Sequence, residues 1–363
     1  MRSMRCFRVG QRLGFLNETP YWKEKNMKKG LVIALAAVMI SGCAFGSGCT
    51  KSINVDELTV YMPDGAPALA LAQLMKEDKE NDGFRYYVVS ASSIASTVTY
   101  MDKSKNADLC VMPVTAACKL LGKGDDYVMV GVVTHGNLYL VSKNQTTIDE
   151  TNISTLVGKN IGVLNINEVP GMTFKTVLNK YEVAWSAVEN DGVLSESSVN
   201  LTAISGADAV RTVNGAEYYL LAEPAASAQA KKGYSIVGDV QALYGGENGY
   251  PQAVLVAKSS AVAAREKDII EFVGRVAASA NYLKTATGEE LVETVSSHMK
   301  DKNQATSLKA PMLTTEVLAR CGVYFTPAAD CATDVKEYLQ GVLAVNSNAT
   351  AMPEEKFFWT YKR

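Results

Sequence analysis

Two histidines, His135 and His298, are all that 363 residues supply, and the seven cysteines include no C-x-x-C pair. Zinc-ligand spacing is therefore missing, and neither a cysteine cluster nor a G-x-S-x-G elbow offers a nucleophile with its base. Hydrogen-bonding chemistry remains. It is carried at turns by Asp64 and Gly65, Ser92 and Ser93, Thr115, His135 and Asn137, Asn167 and Thr173, Glu223 and Tyr250. We expect these residues to bind a small polar molecule, with no catalytic residue, no cofactor and no metal. Each has a structural alternative. The serines and Thr115 suit helix caps, Glu223 suits a helix N-terminus, and His135 and Tyr250 suit buried packing.

The elements that must position these groups alternate between strand and helix. A strand at 58–62 is broken by Pro63-Asp64-Gly65-Ala66-Pro67 and followed by a helix at 68–76, Pro67 fitting a first helical turn. Further strands are expected at 85–89, 107–112, 128–133 and 138–142, then at 161–164, 199–204, 217–222, 234–237 and 253–258. Helices are expected at 115–121 and 172–179, and nearly the whole chain beyond 262 reads as helix, with Phe357-Phe358-Trp359 packing back onto the body. The unit of strand, Pro/Gly turn and helix occurs at 58–76 and again at 161–179, which points to two similar α/β lobes, each a mostly parallel sheet flanked by helices. Ligands of such sheets sit at the carboxyl ends of strands, and hinge closure buries them from both sides.

Met27-Lys28-Lys29 opens an apolar run over 30–40 that ends in Ser41-Gly42-Cys43. Charged start, short apolar middle and small-residue exit make a signal peptide over 27–42, the run being too short to span a bilayer. Ile40-Ser41-Gly42-Cys43 resembles the bacterial lipobox, which implies acylation of Cys43 by palmitate-type chains and stable anchoring outside the cell. Residues 1–26 stand ahead of that signal and are expected not to be translated natively; Lys23-Glu24 can be encoded AAGGAG, a ribosome-binding sequence. Residues 43–53 read as a tether. The first 42 residues hold eight Lys/Arg and two Asp/Glu, so removing them takes the net charge from −2 to about −8. No basic patch remains for nucleic acid. Cys321 and Cys331 could pair in an exported protein, or stay free and buried.

Tyr61-Met62-Pro63-Asp64-Gly65-Ala66-Pro67 and Leu156-Val157-Gly158-Lys159-Asn160-Ile161-Gly162-Val163 are similar to segments of the nitrate/sulfonate/taurine-type substrate-binding proteins of ABC importers. Ala107-Asp108 to Pro113, Thr134-His135-Gly136-Asn137-Leu138, Ala222-Glu223-Pro224-Ala225 and Gly249-Tyr250-Pro251-Gln252-Ala253 follow in the same order, over about 54–345. The resemblance implies a type II periplasmic-binding fold, with lobe one at 54–145 plus 255–363, lobe two at 146–250 and the ligand cleft between them. It implies a monomer that takes a sulfonate, a nitrate-like anion or a heteroaromatic vitamin precursor to a permease. An enzyme of the same fold, or a sensing lipoprotein without an importer, is the alternative.

Overall fold

The computed structural model describes residues 57–79, 83–204, 206, 213, 215–245 and 249–361. The leader, the signal segment, Cys43 and the tether lie outside them.

Twelve strands among the described residues divide between two six-stranded sheets. They are β1 (Leu58–Pro63), β2 (Phe84–Val89), β3 (Leu109–Pro113), β4 (Tyr127–His135), β5 (Leu138–Ser142), β6 (Asn160–Leu164), β7 (Trp185–Val188), β8 (Val199–Ile204), β9 (Ala216–Ala222), β10 (Ser235–Asp239), β11 (Pro251–Lys258) and β12 (Val323–Pro327). Sheet one has the order β12-β4-β11-β3-β1-β2 and sheet two β10-β5-β9-β6-β8-β7. The helices are α1 (Ala66–Leu69), α2 (Ala72–Lys76), α3 (Val114–Leu121), α4 (Val169–Lys180), α5 (Ala225–Ala230), α6 (Val240–Tyr244), α7 (Ser259–Tyr282), α8 (Gly288–Ser297), α9 (Thr315–Arg320) and α10 (Ala328–Val345).

The sheets are mixed rather than mostly parallel. β1, β2 and β3 are parallel, as are β6 to β9, but β4, β11 and β12 pair antiparallel in sheet one, and β5 and β10 do so in sheet two. The reason is the route of the chain. A strand entering a sheet directly from the other one starts at the end where the parallel strands finish, so it must run against them. β5 enters this way after β4, and β11 enters this way on the return. Leu138–Ser142 thus belongs to sheet two, and the switch falls at Gly136-Asn137 rather than after residue 145. β7 and β12 fall in stretches where no strand was expected.

Period-2 alternation sorts the core. On β3, Leu109 and Val111 face the layer of α1, α2, α7 and α8, while Cys110 and Met112 face that of α3 and α10. On β5, Leu138 and Leu140 join the same layer as Cys110, and Tyr139 and Val141 pack on the opposite face. The layer holding Cys110 therefore runs through both sheets. α10, which follows a strand of sheet one, packs on α4 of sheet two. Gly341 makes that approach possible, because a Cβ there would stand 2.6 Å from Thr176 Cγ2. Four cysteines, Cys110, Cys118, Cys321 and Cys331, are free and buried, so the 321–331 disulfide is not formed.

Candidate functional site

Sheet one ends β1 at Pro63 and β3 at Pro113; sheet two ends β6 at Leu164 and β9 at Ala222. The residues after these four ends, together with Asn137 at the crossing and Gln252 at the start of β11, enclose a cavity of about 380 Å³. Small-molecule sites typically occupy about 300–1,000 Å³, so this one suits a compact ligand. Hollows of about 620 and 460 Å³ lie elsewhere, but each takes its walls from a single lobe: 73–79 with 271–282, and 147–151 with 239–243. The smaller cavity takes walls from both.

Its polar groups divide into satisfied and unsatisfied ones. Asp64 accepts from Gly65 N at 2.9 Å, Thr306 Oγ1 at 2.5 Å and Ser307 N at 2.6 Å, which fixes the turn between β1 and α1. Gly65 adopts φ 103°, left-handed backbone that only glycine enters without strain. Glu223 has a fully buried carboxylate; Oε1 accepts from Arg320 Nε at 2.7 Å and Ser227 Oγ at 2.7 Å, and Oε2 from Ser227 N at 3.0 Å. It closes the start of α5, the structural alternative that its sequence position allowed, while its loop still walls the cavity. Glu168 precedes α4 and is exposed at the cavity wall. Asn137 is 1% exposed, its carbonyl holds Glu223 N at 2.9 Å, and its side-chain Oδ1 has no partner. Gln252 Oε1 is likewise buried without a partner. Buried amide oxygens left unpaired are costly; both residues line the cavity.

Of the expected site residues, Asp64, Gly65, Asn137 and Glu223 line this cavity, and the other seven do not. Ser92 and Ser93 are exposed on the 3₁₀ turn Ala91–Val98 and bond to Ser90 Oγ at 3.2 and 2.7 Å. Thr115 is buried in α3, its carbonyl taking Thr350 Oγ1 at 2.9 Å. His135 stacks on Tyr324 with ring centroids 3.6 Å apart and lies 3.2 Å from Thr326 Oγ1; burial pushes its pKa down to about 3. Asn167 is exposed outside the wall. Thr173 is buried between Val169 O and the Tyr338 hydroxyl, and Tyr250 stacks on Tyr338 in the core with centroids 5.7 Å apart. Gln252 lies just ahead of the strand expected at 253–258, was not among the expected site residues, and in the structure belongs to β11. A lone polar residue in the buried run Pro251–Lys258 was the available signal. Among the described residues no group of His, Cys, Asp and Glu is placed to hold a metal ion.

No protein-family model matches the chain, and no curated protein is similar to it in sequence. Solved structures do match. An ABC transporter structure from Parabacteroides distasonis superposes with TM-score 0.63 at 18% identity, covering 84% of this chain and 99% of that one. The periplasmic aliphatic sulphonate binding protein of Escherichia coli gives 0.60 at 14%, covering 85% and 93%. The alkanesulfonate-binding protein of Xanthomonas axonopodis pv. citri, bound to MOPS, gives 0.52 at 12%, covering 82% and 94%.

Proposed function

On the frame of a type II periplasmic-binding-protein fold, we propose that this chain captures a small polar solute between its lobes and hands it to an ABC importer. One observation carries the reading: a cavity walled by both sheets at their strand ends, with Asn137 and Gln252 among the residues that line it. The matching structures include periplasmic and ABC-transporter proteins, which supports the importer as partner. No helix among the described residues is long and apolar enough to cross a membrane. The lipobox-like Ile40-Ser41-Gly42-Cys43 supports anchoring to the outer face of the membrane through Cys43. The lobes of the proposed binding protein are the two sheets with their helices, and the protein acts as a monomer.

A thermal-shift screen over sulfur, nitrogen and vitamin-precursor compounds tests the proposal. A ligand at 100 times its Kd stabilises the folded state by about 2.7 kcal/mol, enough to raise the melting temperature measurably. A broad screen in which no compound does so would count against it. Cys43→Ala should move the protein from the membrane fraction to the soluble one.

A further inference from the structure

We infer that the rim of sheet one where β1 begins rests on the lipid bilayer that holds the anchor, with Tyr100 and Met101 in the membrane interface. The inference rests on the anchoring through Cys43 proposed above. It is carried by where the chain leaves the anchor and by what lies around that point. β1 and β3 are parallel and both end at the cavity, so their first residues, Leu58 and Leu109, mark the opposite rim. The tether joins the body there. Fully extended, the chain from Cys43 to Glu57 spans at most about 50 Å, which keeps this rim within reach of the bilayer.

Asp108 ties the entry point to the loop before β3, its Oδ2 accepting from Thr59 N and Thr59 Oγ1, both at 2.9 Å. In that loop Met101 is wholly exposed and Tyr100 is 42% exposed. Lys103 bonds Asp126 at 2.8 Å, which joins the loop to the start of β4. Leu120, in the last turn of α3, and Met352 are exposed beside it, where Glu354 N bonds Gly122 O at 2.8 Å. Four of the seven large apolar side chains exposed among the described residues thus share the rim that the tether enters; the other three, Val157, Val193 and Leu194, belong to sheet two. One exposed apolar side chain is ordinary, but several gathered beside a lipid anchor fit an interface. Tyrosine suits that boundary, with an apolar ring and a polar hydroxyl. Ionic attraction adds little, because Lys103, Lys105 and Lys356 are paired with Asp126, Asp102 and Asp125. The contact is therefore apolar and indifferent to salt. So few side chains would not hold the protein alone; a tether that keeps them at millimolar effective concentration makes them sufficient.

The lipidated protein, expressed from Met27 and reconstituted in phosphatidylcholine vesicles, tests this. Cys49→Ser with Met101→Cys leaves position 101 as the reactive thiol, since Cys110, Cys118, Cys321 and Cys331 are buried, and the wholly exposed position leaves folding intact. An environment-sensitive fluorophore there should blue-shift and lose about half its emission when the lipids carry bromine, as a side chain at the headgroup boundary does. Low and high salt should give the same result. The label on Ser92→Cys, exposed next to the cavity-lining Ala91, should do neither. Quenching at 92 and not at 101 refutes the inference by turning the molecule over. No quenching at either, on protein that still pellets with the vesicles, refutes the contact while the anchor stands. A blue shift at 101 without quenching places it against protein in place of lipid and overturns the inference too. Protein that fails to pellet overturns anchoring and contact together.

Discussion

The hydroxyls of Thr173 and Tyr338 stand 2.8 Å apart, buried, where α4 of one lobe meets α10 from the other end of the chain. Thr173 Oγ1 also donates to Val169 O at 2.7 Å, so the Tyr338 O–H is the donor between the lobes. Tyr338→Phe leaves Thr173 satisfied and should cost about 1 kcal/mol, lowering the melting temperature by about 2 °C. Thr173→Val strands the tyrosine hydroxyl and should cost up to about 3 kcal/mol. Melts that coincide with wild type for both variants would show that this bond does not hold the lobes.

Glu223 and Arg320 form a pair in which the carboxylate is buried and the guanidinium half-covered. Arg320→Met leaves that carboxylate with Ser227 alone and should destabilise by about 3–5 kcal/mol. Combining Glu223→Leu with Arg320→Met should recover much of the loss. Urea unfolding of the two single variants and the double variant measures the coupling, and strict additivity would contradict it.

His135 binds its proton less readily folded than unfolded, because burial lowers its pKa from about 6.5 to about 3. The unfolded chain therefore takes up the extra proton, and stability falls as pH drops below about 6.5, down to about 3. Between pH 7 and pH 5 this amounts to about 2 kcal/mol. His135→Phe keeps a ring against Tyr324 and should flatten that part of the stability–pH profile. An unchanged slope would refute the assignment.

Burial pushes the thiols of Cys110, Cys118, Cys321 and Cys331 up to about 12. Thiolate is the reactive form, so a thiol reagent should label none of the four in the folded protein and all of them in urea. Peptide mapping without reductant should find Cys321 and Cys331 unlinked.

Much of this architecture was legible in the chain. The apolar runs ending in Pro63, Pro113 and Ala222 marked strand ends, and those ends do converge. β12 was not legible, because Val323–Pro327 is half-buried throughout and shows no alternation. β7 is hidden for the same reason, in a four-residue edge strand. Position along the chain placed His135, Thr173 and Tyr250 near the cleft, yet what decides the role of each is a partner far away in sequence: Tyr324, Tyr338 and again Tyr338. Asn137 was chosen for its place in a turn. Its place in the cavity wall follows from the crossing between the two sheets, which only the fold reveals.

Asp64 sits in the first turn of the first lobe, but Thr306 and Ser307 hold its carboxylate, and Tyr338 joins the lobes. A polypeptide made from its N-terminus delivers those residues near the end. Until they arrive, the wall residues from Pro63 to Ala253 lack the contacts that fix the turn at Asp64. The capture proposed above is therefore postponed until synthesis of the chain is nearly over.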